Sequence, residues 1–334
     1  MQRCFCSAAS CHEQPWVITG LLKHYCGDFM PTGNASPLAL FLNASAGSGE
    51  ADELLELWER KIPEERKAPM FVVRDITQYS ELLDQALEFC KSSHASLIVA
   101  GGDGSFNGVL TRPESKEITL GLIPTGTFNF FARSHGIPED PETAIEFILA
   151  ATPVTLALAY VNERPFIVSV SIGVHPKIIA EREIHTRYVG RTRFAAWLSG
   201  IWTILRARHL TKATLHTATW RRQIITPVLL VNFNSAQLLG LDSRFQHQPH
   251  KLAMLRLKQT SYWGIFAFLF RALSGRVLDE GSLQCEYVEE LVVDTPRSPE
   301  RVALDGELVY CKSPMKFRVE KHGFSCLLQS QSLQ

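Results

Sequence analysis

Apolar and polar positions alternate in two different rhythms along the chain, and the change falls near residue 152. In the first part, short apolar runs take turns with helical periodicity. Pro37 to Asn43 reads as a strand, Phe71 to Val73 as a second, Leu97 to Val99 as a third and Thr119 to Ile123 as a fourth. Between them, Leu54, Leu55, Leu57, Trp58 and Ile62 recur among charged residues at helical spacing over 51–61. Leu82, Leu83, Ala86, Leu87 and Phe89 do so over 79–91. Phe130 to Arg133 and Pro141 to Ala151 complete the helical segments, the latter with proline at a favourable first-turn position. Strands alternating with helices predict a doubly wound parallel sheet.

After residue 152 strand-like stretches dominate. They are Val154 to Val161, Phe166 to Ser171, Ala213 to Trp220, Gln223 to Phe233, Leu252 to Leu257, Leu283 to Tyr287, Glu290 to Asp294, Arg301 to Leu304 and Met315 to Val319. Turn residues separate most of them, which predicts an antiparallel β domain. The expected organisation is a poorly ordered tail over 1–36, an α/β unit over 37–151 and a β unit over 152–328. The chain end is a candidate to return to the first unit. Met30, just before the first credible element, is a candidate start. Two apolar segments at helical spacing interrupt the β pattern, Gly190 to Leu210 with arginines around it and Tyr262 to Leu273. Each reads as a helix covering the β unit, or as a surface for an anionic membrane or an acyl chain.

Three loops that follow predicted strands are rich in glycine, serine or threonine: 44–49, Gly101-Gly102-Asp103-Gly104-Ser105 and Pro124-Thr125-Gly126-Thr127. In a parallel sheet such loops lie on one edge. Glycine turns before helix starts suit an anion, because backbone amides are free there. Asp103 in such a turn can meet a metal ion or a hydroxyl; the plainer reading is a glycine turn with Asp103 capping a helix. No Gly-Lys-Ser/Thr follows, so this is not a Walker A loop. Far along the β pattern, Leu304-Asp305-Gly306-Glu307 carries the Asp-Gly signal of a hairpin turn. A carboxylate at that turn, facing a phosphate site, can take the proton of an attacking hydroxyl.

Composition narrows the classes. The 334 residues are 46% hydrophobic and 20% charged with zero formal net charge, so a packed core is expected and nothing global points to nucleic acid. The 8 cysteines show no paired zinc spacing and read as reduced thiols. No stretch reaches the roughly 20 apolar residues needed to span a bilayer. A cytoplasmic protein is expected, with peripheral contact at the inner membrane face open.

With these motifs the chain resembles the diacylglycerol kinase catalytic-domain family, which includes bacterial lipid kinases and sphingosine kinases. The resemblance rests on Asn43 with Gly47-Ser48-Gly49, on Gly101 to Ser105 with Asn107, on Pro124 to Thr127 with Asn129, Ala132 and Arg133, and on Asp305-Gly306-Glu307. It runs from about residue 38 to 328 and, within the family, is most similar to a bacterial group with a Gly-Thr-(Leu/Phe)-Asn-x-Phe-Ala loop, here Gly126 to Ala132, and a Ser-Ile-Gly-x-x-Pro segment, here Ser171 to Pro176. It implies an α/β nucleotide domain, a β-sandwich domain, ATP between them, and phosphorylation of a lipid hydroxyl such as that of a diacylglycerol or sphingoid base. It implies that Asn43, Gly101, Gly102, Asp103, Gly104, Ser105, Asn107, Gly126, Thr127 and Asn129 bind ATP, with Asp103 meeting Mg²⁺ through Mg-ATP. Asp305 is then the general base and Glu307 its helper, and dimerisation through the β domain is a family trait. The chain departs from the family pattern at Ala44, Ala46, Ser105, Phe128 and Phe130, and by the lack of acids in Arg244 to Lys251 for a structural Mg²⁺. The alternatives are a catalytically silent nucleotide- or lipid-binding regulator of the same fold and an NAD kinase, which shares Gly-Gly-Asp-Gly.

Overall fold

The computed structural model describes residues 36–44, 50–173, 211–237, 248, 250–257 and 283–329. Four parallel strands form its first layer: β1 (Leu38–Asn43), β2 (Lys67–Val73), β3 (Ser96–Gly101) and β4 (Thr119–Pro124), in the order β2-β1-β3-β4. Successive β1 side chains point to opposite faces, as strand geometry requires. Leu38, Leu40 and Leu42 meet Leu54 and Trp58 of α1 (Glu50–Lys61) and Ile145 and Ile148 of a later helix, Pro141–Ala150. Ala39 and Phe41 face the other side. There they join Leu83 and Leu87 of α2 (Tyr79–Ser93), Phe106 and Val109 of α3 (Asp103–Leu110), and Phe131 of α4 (Phe130–Ser134). The Pro141–Ala150 helix is α5; Asp140 caps it, accepting the Thr143 N–H at 2.9 Å.

Strands β5 (Thr152–Val161), β6 (Arg164–Phe166) and β7 (Ser169–Gly173) lead into the antiparallel part. There follow β8 (Thr211–His216), β9 (Arg221–Thr226), β10 (Val228–Asn232), β11 (Leu252–Leu257), β12 (Leu283–Val288) and β13 (Glu290–Asp294). The last three are β14 (Glu300–Leu304), β15 (Glu307–Cys311) and β16 (Met315–Leu328). One antiparallel sheet runs β12-β11-β10-β7-β14-β15. The parallel strands continue through β16, β13, β8 and β9 in the other sheet, with β5 beside β16 and β6 beside β5. Val170, Ile172, Leu229, Val231 and Val302 of the first sheet pack against Leu215, Leu291, Val293 and Phe317 of the second, giving the sandwich its core.

The sheet joins both parts through β16. Near its end it pairs in parallel with β4, Ser325 with Thr119, and along its length it pairs antiparallel with β5. The register slips between Glu320 and Phe324, at Gly323, where a Cβ would stand 2.3 Å from that of Leu158. Only a glycine lets the backbones approach so closely.

Several strand expectations are corrected. Phe166 to Ser171 is not one strand: β6 stops at Phe166 and β7 starts at Ser169, because the intervening amides turn to a side chain described below. Gln223 to Phe233 is two strands in different sheets. Pro227, which has no N–H to give, separates them. Ala213 to Trp220 ends at His216, where Thr217 and Trp220 close a turn. Met315 to Val319 runs on to Leu328. The segments 190–210 and 262–273 and the glycine loop 47–49 lie outside the described residues, as do Val174 to Pro176, Asp242 and 244–247. Among the described residues no helix is long and apolar enough to cross a membrane.

Candidate active site

Because β1, β3 and β4 are parallel, their carboxyl ends bring Asn43, Gly101 and Pro124 to one sheet edge. At β3 the chain turns through Gly102, and α3 begins at Asp103, with the Phe106 N–H donating to the Gly102 carbonyl. The turn is pressed against the loop after β4. A Cβ on Gly126 would stand 2.6 Å from the Gly102 Cα and 2.8 Å from Asn129 Oδ1, so no larger residue fits without moving backbone. The Thr125 N–H donates to the Gly101 carbonyl at 3.1 Å. Asn129 has a left-handed backbone (φ 49°), and its side-chain amide accepts the Gly126 N–H and donates to the Gly126 carbonyl, both at 3.0 Å.

Asp103 completes this junction. Its Oδ2 accepts the Phe130 N–H and its Oδ1 the Phe131 N–H, each at 2.9 Å. The carboxylate therefore caps a helix, though not its own: it starts α3 and caps α4. Among the described residues, no group of three His, Cys, Asp or Glu side chains is arranged to hold a metal ion. Each oxygen of Asp103 is thus engaged by one backbone amide.

The second half of the site is the β14–β15 hairpin. Asp305 and Gly306 both have positive φ, 47° and 90°, as the tightest hairpin turns require. The Asp305 carboxylate points inward. It accepts N–H groups from Ile167 at 2.8 Å, Val168 at 2.9 Å and Ser169 at 2.8 Å, and its own N–H donates to the Ser169 carbonyl at 2.9 Å. Burial pushes its acid up to about 7, against the pull of the three amides, and the charge of Asp103 adds to the rise. Glu307 is exposed and leans over the glycine turn: its Oε1 lies 3.1 Å from where a Cβ on Gly104 would be. Asp103, Asp305 and Glu307 thus come together from two distant parts of the chain.

The remaining expected residues sit around this centre. Gly101 packs its Cα side against Ser105, and Thr127 lies exposed on the β4 loop. Asn107 is buried on α3, one turn beyond Asp103, and its Oδ1 has no hydrogen-bond partner among the described residues. Asn43 ends β1, where the next amide, Ala44 N–H, donates to the Val73 carbonyl at 2.9 Å.

Two contributors escape sequence reasoning. The amides of 167–169 give no side-chain signal at all. Tyr79 reads only as a helix start, yet its ring stands edge-on to Phe41 at 5.4 Å, and its hydroxyl donates to the Ser105 carbonyl at 3.4 Å. That hydroxyl would meet a Cβ on Gly108 at 2.7 Å, so Gly108 is the one available clue. Burial pushes the Tyr79 phenol up; Arg112 pulls it down and Glu307 pushes it further up.

Residues 37–161, which contain the glycine turn and the β4 loop, match the family model of the diacylglycerol kinase catalytic domain. Over that part the chain is similar to diacylglycerol kinase catalytic domains. It is 30% identical over 142 residues to a protein of Serratia proteamaculans named "Probable lipid kinase YegS-like", covering 41% of this chain and 45% of that one. It is 36% identical over 83 residues to "Probable lipid kinase YegS" of Escherichia coli O1:K1 / APEC, covering 24% and 28%. The chain thus spans less than half the length of these curated relatives. A crystal structure of a diacylglycerol kinase from Bacillus anthracis str. Sterne superposes with a TM-score of 0.65 at 17% identity, over 90% of this chain and 100% of that one. The likeness at that identity is one of fold: an α/β layer followed by an antiparallel sandwich.

Proposed function

We propose that the chain is an ATP-dependent lipid kinase. The observation that carries this reading is the meeting of an inward-turned, half-buried carboxylate, Asp305, with the linked glycine and threonine loops of a kinase-family domain. In this reading MgATP lies between the two parts of the molecule. Amides of Gly101 to Ser105 and the hydroxyl and amide of Thr127 hold its phosphates, and Asn43, Asn107 and Asn129 shape the surroundings. The acceptor hydroxyl attacks the γ-phosphorus. Its O–H proton passes to Asp305, the new P–O bond forms as the β–γ bridging P–O bond breaks, and ADP leaves. Phosphoryl transfer asks for positioning and for charge placed where it develops, rather than for covalent chemistry. A carboxyl poised near neutrality suits the proton acceptor. Glu307, the exposed acid of the three, is available to the magnesium ion of the substrate or to the acceptor. The acceptor is a diacylglycerol- or sphingosine-like lipid, reached by peripheral contact at a membrane face.

A regulator of the same fold that binds without turnover is the second reading. It is favoured by the engagement of both Asp103 and Asp305 with backbone amides of the chain itself. ADP release from Mg-ATP across a panel of lipid acceptors, wild type beside Asp305→Asn, decides between them. Acceptor-dependent turnover that the variant loses supports the kinase. Bound ATP with no turnover on any acceptor supports the regulator.

A further inference from the structure

The loop that carries Thr127 holds an aromatic residue out in water. Phe128 is 59% exposed, among the most exposed large apolar side chains described, and Phe130 lies parallel to it with ring centroids 5.6 Å apart and planes 1° apart. An exposed phenylalanine on an adaptable loop normally folds back to bury its ring. This loop has no such freedom. Asn129 is clamped to Gly126 by two hydrogen bonds, the Phe130 N–H is held by Asp103, and Phe131 is turned inward against Phe106 at 4.6 Å. The ring is kept at the surface by the same bonds that shape the site.

The position of the stack selects its ligand. Its loop follows β4, the parallel strand beside β16; β1, which ends at Asn43, is two strand spacings away, about 10 Å. The helix that Phe130 starts ends at Ser134, whose hydroxyl accepts the Ala236 N–H of the β part at 3.4 Å. The stack therefore lies on the sandwich side of the glycine turn, the side from which the Asp305 hairpin approaches. In the kinase reading, with the phosphates on the glycine turn and the nucleoside toward Asn43, a ligand that reaches the stack comes from the acceptor side. A flat, rigid apolar surface without a polar group recognises hydrocarbon rather than a head group.

We infer that the Phe128–Phe130 stack receives the acyl chain of the acceptor lipid next to the transferred phosphoryl group. This inference rests on the kinase reading above, and two assays separate its failure from the failure of that reading. The first follows ADP release with dioctanoylglycerol as acceptor for wild type, Phe128→Ala and Phe128→Leu. The acceptor KM rises about tenfold in Phe128→Ala and largely recovers in Phe128→Leu, while the KM for ATP stays within about twofold. A raised KM for ATP with an unchanged acceptor KM overturns the inference, as does no change in either. The second assay needs no turnover: calorimetric binding of dioctanoylglycerol to the ADP-saturated protein. If wild type turns over no lipid but Phe128→Ala still binds the diglyceride about tenfold more weakly, the acyl contact stands and the kinase reading falls. Equal affinity of the two proteins, or no binding by wild type, overturns the acyl contact.

Discussion

Asp103→Asn separates a carboxylate that fixes the loops from one that works on the ligand. Today each carboxylate oxygen accepts one amide, Phe130 N–H and Phe131 N–H, both at 2.9 Å. Asparagine keeps one oxygen and sets its –NH₂ against the other amide, donor facing donor. The variant loses one hydrogen bond to a charged group, about 1.5–3 kcal/mol, weakens the second, and strands an N–H close to the buried Phe131 ring. Losing a helix cap is worth about 1 kcal/mol by itself, which overlaps with those terms. The expected cost is about 2–4 kcal/mol of stability, an order-of-magnitude figure. It should be local at first, because the contact of Gly102 with Gly126 depends on the same junction. Urea unfolding read by far-ultraviolet circular dichroism measures the first quantity, as a lowered midpoint with an unchanged slope. Calorimetric titration with ATP, with and without Mg²⁺, measures the second. Weaker nucleotide binding by a similar factor in both conditions fits a loop that has lost its anchor. A urea midpoint equal to that of wild type would refute the reasoning. A loss of affinity seen only with Mg²⁺ would refute it too, placing the carboxylate on the ion.

Three further outcomes follow from the same geometry. Asp305 has its acid raised from the ordinary carboxylate range to about 7, so between those values the folded chain holds a proton that the unfolded chain has released. Its contribution to stability is fully present below about pH 4 and is lost as pH rises through about 7. Urea midpoints across that window should fall with pH in wild type and flatten in Asp305→Asn, and acceptor-dependent turnover should climb as the carboxylate forms near pH 7. Gly126→Ala puts a methyl group 2.6 Å from the Gly102 Cα; nucleotide affinity should drop with a stability loss of about 1–3 kcal/mol, read by calorimetry and urea unfolding. Burial pushes the thiols of Cys90 and Cys326 up to about 12, so both should resist a thiol-specific disulfide reagent at neutral pH until urea unfolds the chain. Peptide mapping after a brief native treatment checks it.

The alternation of runs and helices made the α/β layer legible in the sequence, because its strands carry their own period and the parallel arrangement then dictates which loops share an edge. The positions of Asp103 and Asp305 were legible for the same reason, each at a turn after an apolar run. Their partners were not. The amides on Asp103 lie 27 and 28 residues away, and the Ile167 amide on Asp305 lies 138 residues away. An apolar run such as Phe166 to Ser171 looks continuous until a distant carboxylate takes its middle amides. Polar Glu320, Lys321 and His322 hid the length of β16, whose register slips just there. That strand has a consequence for the chemistry. Asp103 belongs to the α/β layer and Asp305 to the sandwich, yet β16 pairs with β4 of one and with β13 of the other. The anchored loop and Asp305 are therefore linked through paired strands and the sandwich core rather than through a linker. Each acid is then fixed within its own half by backbone amides, which have no rotamers to lose. Precise placement across the site follows from short, rigid steps: amide to Asp103, β4 to β16, β16 through the core between the two sheets to β14, and amide to Asp305.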